Sequence, residues 1–260
     1  VQVWPDPNEI GRVFRPELGI AAEPAEIIRA LLARGAPPDA GRRQGWVAGL
    51  NAIHRRLMAP EWDSMPDGVN FAAICVETAK HLAKDAVVTS DAGNFSSFIH
   101  RYIGFRPGQN FLSSVVGAMG AGVPMAVAAS LRSPGRQVVA FLGDGGALMT
   151  GNEIATAMQY GGTPIIIISD NKRYGTIGMH HEVRYPNRPY EAAVKLTNPD
   201  FAAWARVFGA EGITINSEAE VEAGIARAFA VKTKPVVVHV HTSAEQMSAW
   251  RRRGAPRTQG

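Results

Sequence analysis

Asp144 stands among glycines directly after an apolar run, Val138-Val139-Ala140-Phe141-Leu142-Gly143-Asp144-Gly145-Gly146. A second run, Ile165-Ile166-Ile167-Ile168-Ser169-Asp170-Asn171, brings Asn171 into the chain 27 positions after Asp144. A carboxylate, an amide oxygen and a nearby backbone carbonyl are hard oxygen donors, and Mg²⁺ completes its octahedron around such donors with phosphate oxygens and water. Glycines let a backbone approach a ligand closely, and amides near a helix N-terminus suit an anionic diphosphate. The residue types therefore ask for a metal-bridged diphosphate. Gly-Asp-Gly alone is also ordinary turn chemistry, so the reading needs both segments on one rim of the fold.

The elements that must place them there can be read from periodicity. The pattern predicts helix 69–83, strand 86–90, helix 121–132, strand 137–142, helix 151–160 and strand 164–169. It continues with helix 199–208, strand 212–215, helix 218–230 and strand 235–240. Thr150 and Glu153 have the spacing of a capping box at the start of helix 151–160. Such alternation implies an α/β fold, a doubly wound parallel sheet with helices on both faces. Ligands of such sheets sit beyond the carboxyl ends of the strands. One βαβ crossover then carries Asp144 and Asn171 to the same rim. Upstream the pattern differs: residues 1–34 read as an end piece whose helix opens at Pro24, and Gly35, Pro37, Pro38, Asp39 and Gly41 read as a linker. Helical spacing follows over 46–58. The expected organisation is an end piece and linker over 1–40, a main domain over 41–250 and a basic tail over 251–260.

Composition excludes several classes. The net charge is +4 over 260 residues, and apart from Arg251-Arg252-Arg253 the cations are dispersed, which is no nucleic-acid footprint. That basic run reads as a solvated, poorly ordered terminus. The single cysteine, Cys75, falls in an apolar helical stretch and reads as a buried structural thiol, in keeping with a reducing, cytoplasmic setting. No apolar run reaches the roughly 18 residues of a membrane span. The chain begins with Val1, which points to a fragment or a processed product.

Gly143-Asp144-Gly145, followed after 27 positions by Asn171, resembles the signature of thiamine diphosphate (ThDP) enzymes, and of these the acetolactate synthase-like family most. The resemblance implies that Asp144, the Asn171 side chain and the backbone carbonyl of Arg173 bind Mg²⁺, with Gly143, Gly145 and Gly146 beside the diphosphate. Family members usually have Asn-Asn where this chain has Asp170-Asn171. Val116-Gly117-Ala118-Met119-Gly120-Ala121-Gly122-Val123-Pro124 resembles the segment that receives the aminopyrimidine. There the residue matching Met119 props the cofactor into its bent shape, and the carbonyl matching Gly117 accepts a hydrogen bond from the 4′-amino group. Asp91-Ala92-Gly93-Asn94-Phe95 occupies the place of another diphosphate loop, which puts Asn94 and the Phe95 amide against the cofactor, although acetolactate synthases often carry Gln-His there.

The resemblance further implies that Tyr174-Gly175-Thr176-Ile177 lies over the reacting end of the cofactor. Simple pyruvate decarboxylases tend to place a glutamate at the position of Ile177; an apolar residue there favours carboligation over simple decarboxylation. His180 or His181 is a candidate for acid-base chemistry, or else a surface histidine. Residues 1–34 resemble the end of the central domain of these enzymes. The implied activity is 2-oxo acid decarboxylation with carboligation. It needs a pyrimidine-binding domain, from the same or another chain, in a homodimer or homotetramer. FAD is left open for the full-length protein, since flavin contacts of the family lie mostly in the central domain. Three alternatives stay open: a cofactor-binding fragment or subunit without activity of its own, a simple 2-oxo acid decarboxylase, and a generic nucleotide-binding α/β domain.

Overall fold

The structure, a computed structural model, describes residues 1–36, 39–188 and 190–253. Pro37 and Pro38 of the linker cluster and 254–260 of the basic tail lie outside the described residues. The chain forms two compact units, Val1–Arg56 and Leu57–Gly260. The division falls later than the linker cluster near 35–40, so the 46–58 helix begins within the first unit.

In the first unit β1 (Gln2–Trp4) pairs in parallel with β2 (Gly19–Ala21). Pro24 opens α1 (Pro24–Ala33), where a missing N–H costs nothing because first-turn amides have no helical partner. α2 (Gln44–Leu57) follows and buries none of its residues.

The second unit carries the predicted alternation. In chain order it runs α3 (Phe71–His81), β3 (Val87–Ser90), α4 (Ser96–Tyr102), β4 (Asn110–Ser113), α5 (Gly122–Arg132), β5 (Val138–Gly143), α6 (Asp144–Thr150) and α7 (Ile154–Tyr160). Then come β6 (Ile165–Asp170), α8 (Gly175–Arg184), α9 (Glu191–Val194), α10 (Phe201–Val207), β7 (Glu211–Ile215), α11 (Val221–Ala230), β8 (Val236–His241), β9 (Gln246–Ser248) and β10 (Arg251–Arg252). Among the described residues, six strands form one parallel sheet in the order β4-β3-β5-β6-β8-β7.

Strands β3, β5, β6 and β8 are buried on both faces, which is why β5, β6 and β8 read as continuous apolar runs. Ile165 and Ile167 face the core built with Phe71, Ile74, Phe98 and Phe229 of α3, α4 and α11. Ile166 and Ile168, pointing the other way, pack with Val123, Val127, Ile154 and Phe201 of α5, α7 and α10. Cys75 is fully buried, and burial pushes its thiol pKa well up.

The strand order reverses at β3. The chain leaves β3 through α4 to β4 at the edge, then returns through α5 to β5 on the other side. Loops diverge at such a switch point and leave a crevice beyond the carboxyl ends of the strands.

Three local expectations are corrected. The helix after β5 starts at Asp144 itself, and Thr150 and Glu153 make no capping box: the Thr150 hydroxyl donates to the Gly120 carbonyl, and the Glu153 carboxylate accepts from the Thr156 hydroxyl at 2.7 Å. The long-range partner of Thr150 outcompetes the local one. The arginine run is ordered rather than a free tail. Arg251 and Arg252 form β10, Arg252 pairs with Asp63 at 2.8 Å, and Arg253 pairs with Glu182 at 2.8 Å and with Glu191. Edge strand β4 and helices α4 and α8 also emerge where no element was expected.

Candidate functional site

A cleft of about 220 Å³ opens beyond the carboxyl ends of β3, β5, β6 and β8. β5 ends at Gly143 and the chain turns directly into α6, which leaves Asp144 buried at 3% exposure at the cleft floor. Asp144 Oδ1 accepts from the Gly145 N–H at 2.8 Å. Its Oδ2 accepts from the Arg173 N–H at 3.2 Å, and the same N–H reaches Asn171 Oδ1 at 3.2 Å. The two side-chain oxygens singled out in the sequence thus converge on one backbone group.

Local geometry after β6 makes that convergence. Lys172, between Asn171 and Arg173, has φ 58° and is the non-glycine residue with positive φ among the described residues. An L-residue in this region costs about 1–2 kcal/mol. The cost is borne where the backbone must turn sharply between the Asn171 side chain and the Arg173 peptide. Gly145 explains a second close approach: a Cβ there would lie 2.4 Å from the Tyr174 ring.

Asp91, buried just past the end of β3, anchors the glycine-rich segment 116–124 from the other side. Its carboxylate accepts from the Gly120 N–H at 2.9 Å and the Ala121 N–H at 3.1 Å. That carboxylate holds the turn carrying Gly117 and Met119 against the sheet. Asn94 is tied to the start of α8, its N–H donating to the Thr176 hydroxyl at 3.0 Å. First-turn amides of α8 have no helical partner, and Gly175, Thr176 and Ile177 line the cleft.

Asp144 does not stand alone. The Asn198 amide donates to Asp144 Oδ2 at 2.8 Å and to Asp170 Oδ1 at 2.7 Å, so one side chain bridges two carboxylates. Burial raises the Asp144 pKa, and the Asp170 charge adds to the rise against the Asn198 and Gly145 hydrogen bonds. Burial also raises Asp170, but hydrogen bonds from His239 and Asn198 outweigh it and hold that carboxyl below its ordinary range. A carboxylate so desolvated gains from a cation beside it.

Of the residues picked from sequence, Asn94, Phe95, Gly117, Met119, Gly143, Asp144, Gly145 and Asn171 line this cleft, as do Arg173, Tyr174, Gly175, Thr176 and Ile177. Gly146 and His180 do not. Gly146 lies behind Asp144, where a Cβ would sit 1.9 Å from Asp91 Oδ2. His180 is exposed on α8, outside the lining, because the segment over the cleft is helical and turns successive residues to different sides. Sequence reading missed Thr242, Ser243, Gln246 and Met247, which close the cleft after β8. Applying the strand-end rule to strand 235–240 would have found the first two. Asn198 carried no comparable signal, being a loop residue with no pattern around it.

The family described as "Thiamine pyrophosphate enzyme, C-terminal TPP binding domain" matches residues 91–240, from Asp91 through β8. The chain belongs to this family. Among curated proteins it is similar to the acetolactate synthase large subunit of Parasynechococcus marenigrum (strain WH8102), with 30% identity over 91% of this chain and 38% of the relative. It is also similar to the acetolactate synthase isozyme 1 large subunit of Escherichia coli (strain K12), with 27% identity over 93% of this chain and 42% of the relative. The chain thus spans about two fifths of the length of these relatives. Among solved structures, Rhodococcus jostii RHA1 thiamine diphosphate-dependent 4-hydroxybenzoylformate decarboxylase aligns over 70% of this chain and 34% of its own, with TM-score 0.64 and 23% identity, a likeness of fold. The family match agrees with the resemblance read from the sequence, and the structural likeness with the expected α/β fold. Among the described residues no helix is long and apolar enough to cross a membrane.

Proposed function

We propose that this chain binds the diphosphate of thiamine diphosphate through Mg²⁺ held by Asp144, Asn171 and the Arg173 carbonyl, and serves 2-oxo acid decarboxylation with carboligation. The observation that carries the reading is the convergence of Asp144 Oδ2 and Asn171 Oδ1 on the Arg173 peptide at the cleft floor. Hard oxygen donors beside a buried carboxylate fit Mg²⁺. The open first turn of α8 offers amides to a phosphate. When bound, thiamine diphosphate supplies the electron sink for loss of CO₂ from a 2-oxo acid. Met119, on the turn anchored by Asp91, lines the cleft and would support the bound cofactor. Ile177, 57% exposed at the cleft, offers no proton there, which favours addition to a second carbonyl compound over protonation and release.

The active protein requires a pyrimidine-binding domain, from the same or another chain. The chain's span of about two fifths of its relatives favours a second reading for this segment in isolation: a cofactor-binding part with no turnover of its own.

Calorimetric titration of the full-length protein with ThDP tests the binding reading. Binding should need Mg²⁺ and should vanish in Asp144→Ala; binding indifferent to both removes it. Pyruvate turnover separates the chemistry, acetolactate indicating carboligation and acetaldehyde the simple decarboxylase.

A further inference from the structure

Behind Asn198, outside the cleft lining, the carboxyl ends of β6 and β8 gather a second set of donors. The two strands are neighbours in register, Ile168 opposite His239 and Asp170 opposite His241. Side chains two apart on a strand share a face, so His239 and His241 project to the side on which Asp170 stands. The donor atoms of Asp170, His239 and His241 all lie within 4.8 Å of one another. We propose that these three side chains form a binding site for a divalent transition metal ion of the zinc type, distinct from the Asp144–Asn171 donors.

Three features of the geometry point this way. Tetrahedral zinc, with ligands at about 2.0–2.1 Å, holds its donor atoms about 3.3 Å apart. His239 Nε2 and His241 Nδ1 stand 2.8 Å and 3.8 Å from Asp170 Oδ2, on either side of that spacing. Small rotations of the side chains admit the ion.

The outer contacts are those of metal ligands. A ligating histidine donates its second ring N–H to a carboxylate or carbonyl, which fixes its tautomer. His239 turns Nε2 toward the cluster and Nδ1 toward Asp200 Oδ1, 3.5 Å away. Asp200 is itself held by the Ala202 and Ala203 amides at the start of α10. Asp170 is oriented likewise: its Oδ1 takes hydrogen bonds from Asn198 at 2.7 Å and from the Lys172 N–H at 3.0 Å, leaving Oδ2 to face the two imidazoles.

Access is also present. His239 and Asp170 are buried, whereas the His241 side chain is 36% exposed and opens the cluster to solvent. Two imidazoles and one carboxylate form an N₂O set that selects zinc and its transition-metal neighbours over Mg²⁺ or Ca²⁺. A water molecule would complete the tetrahedron.

Metal uptake by the full-length protein, stripped by chelation and kept in excess Mg²⁺, tests the site. Co²⁺ titration followed by visible absorption reports geometry, and Zn²⁺ calorimetry reports affinity and stoichiometry. The expected result is one ion per chain, tetrahedral Co²⁺ bands that Zn²⁺ displaces, and affinity reduced about tenfold or more in His241→Asn. His241 is partly exposed, so this variant keeps the core intact, and a circular dichroism melt checks that it does. Asp144→Ala, verified as folded in the same way, should retain uptake. Absence of stoichiometric uptake, uptake unchanged in His241→Asn, or uptake lost in folded Asp144→Ala each overturns the proposal.

Discussion

Gly146 lies inside α6, and helix propensity alone says that Gly146→Ala stabilises the protein by about 1 kcal/mol. The tertiary structure says the opposite. A Cβ on Gly146 would sit 1.9 Å from Asp91 Oδ2, against about 3.5 Å for an ordinary non-bonded contact. The carboxylate would have to retreat by about 1.5 Å. Its hydrogen bonds from the Gly120 and Ala121 amides, at 2.9 Å and 3.1 Å, could not survive that shift. Hydrogen bonds to a charged group are worth about 1.5–3 kcal/mol each, and at 1% exposure Asp91 has no water to replace them. Losing two and gaining the propensity term leaves a net destabilisation of about 2–5 kcal/mol. Urea unfolding of Gly146→Ala, Asp91→Ala and the double variant measures it. If the clash is the cause, Gly146→Ala costs nothing once Asp91 is already alanine, so the cycle is strongly non-additive. Gly49→Ala in α2, where nothing lies within 4 Å of the added carbon, should stabilise by about 1 kcal/mol as a control. A Gly146→Ala protein as stable as the parent, or an additive cycle, would refute the reasoning.

Lys172→Gly should raise stability by up to about 1 kcal/mol, because relief of the left-handed backbone exceeds the added freedom of the unfolded chain. Lys172→Val should lower it, and thermal melts of the pair decide the sign. Hydrogen bonds from Arg227 and Lys234 hold the Glu211 carboxyl below its ordinary range. Its contribution to stability is therefore full above the unfolded value of about 4.3 and fades as pH falls through the lower folded value. The melting-temperature gap between the parent and Glu211→Gln should shrink as the pH falls below the unfolded value; a gap constant with pH would speak against this pair of contacts.

Local pattern was enough for much of this protein. The run Ile165 to Ile168 read as a buried strand, and its alternation with helices implied a parallel sheet whose ligands lie at one rim. Spacing then carried Asp144 and Asn171 to that rim, and both line the cleft. Strand β4 was not legible, because Asn110–Ser113 is an edge strand, largely exposed, with no apolar run to mark it. Thr150 read as a helix cap only while its neighbours were considered; its hydroxyl is taken by Gly120, thirty residues earlier in the chain. The same holds for Asp91 on the Gly120 turn, for Asn198 between two carboxylates, and for His239 against Asp170. Periodicity is a property of neighbours in sequence, so sequence by itself determined the buried central strands, the helices that alternate with them and the rim. Which polar group meets which depends on loop paths and strand register, and only the tertiary structure, by bringing distant residues within hydrogen-bond reach, decided that.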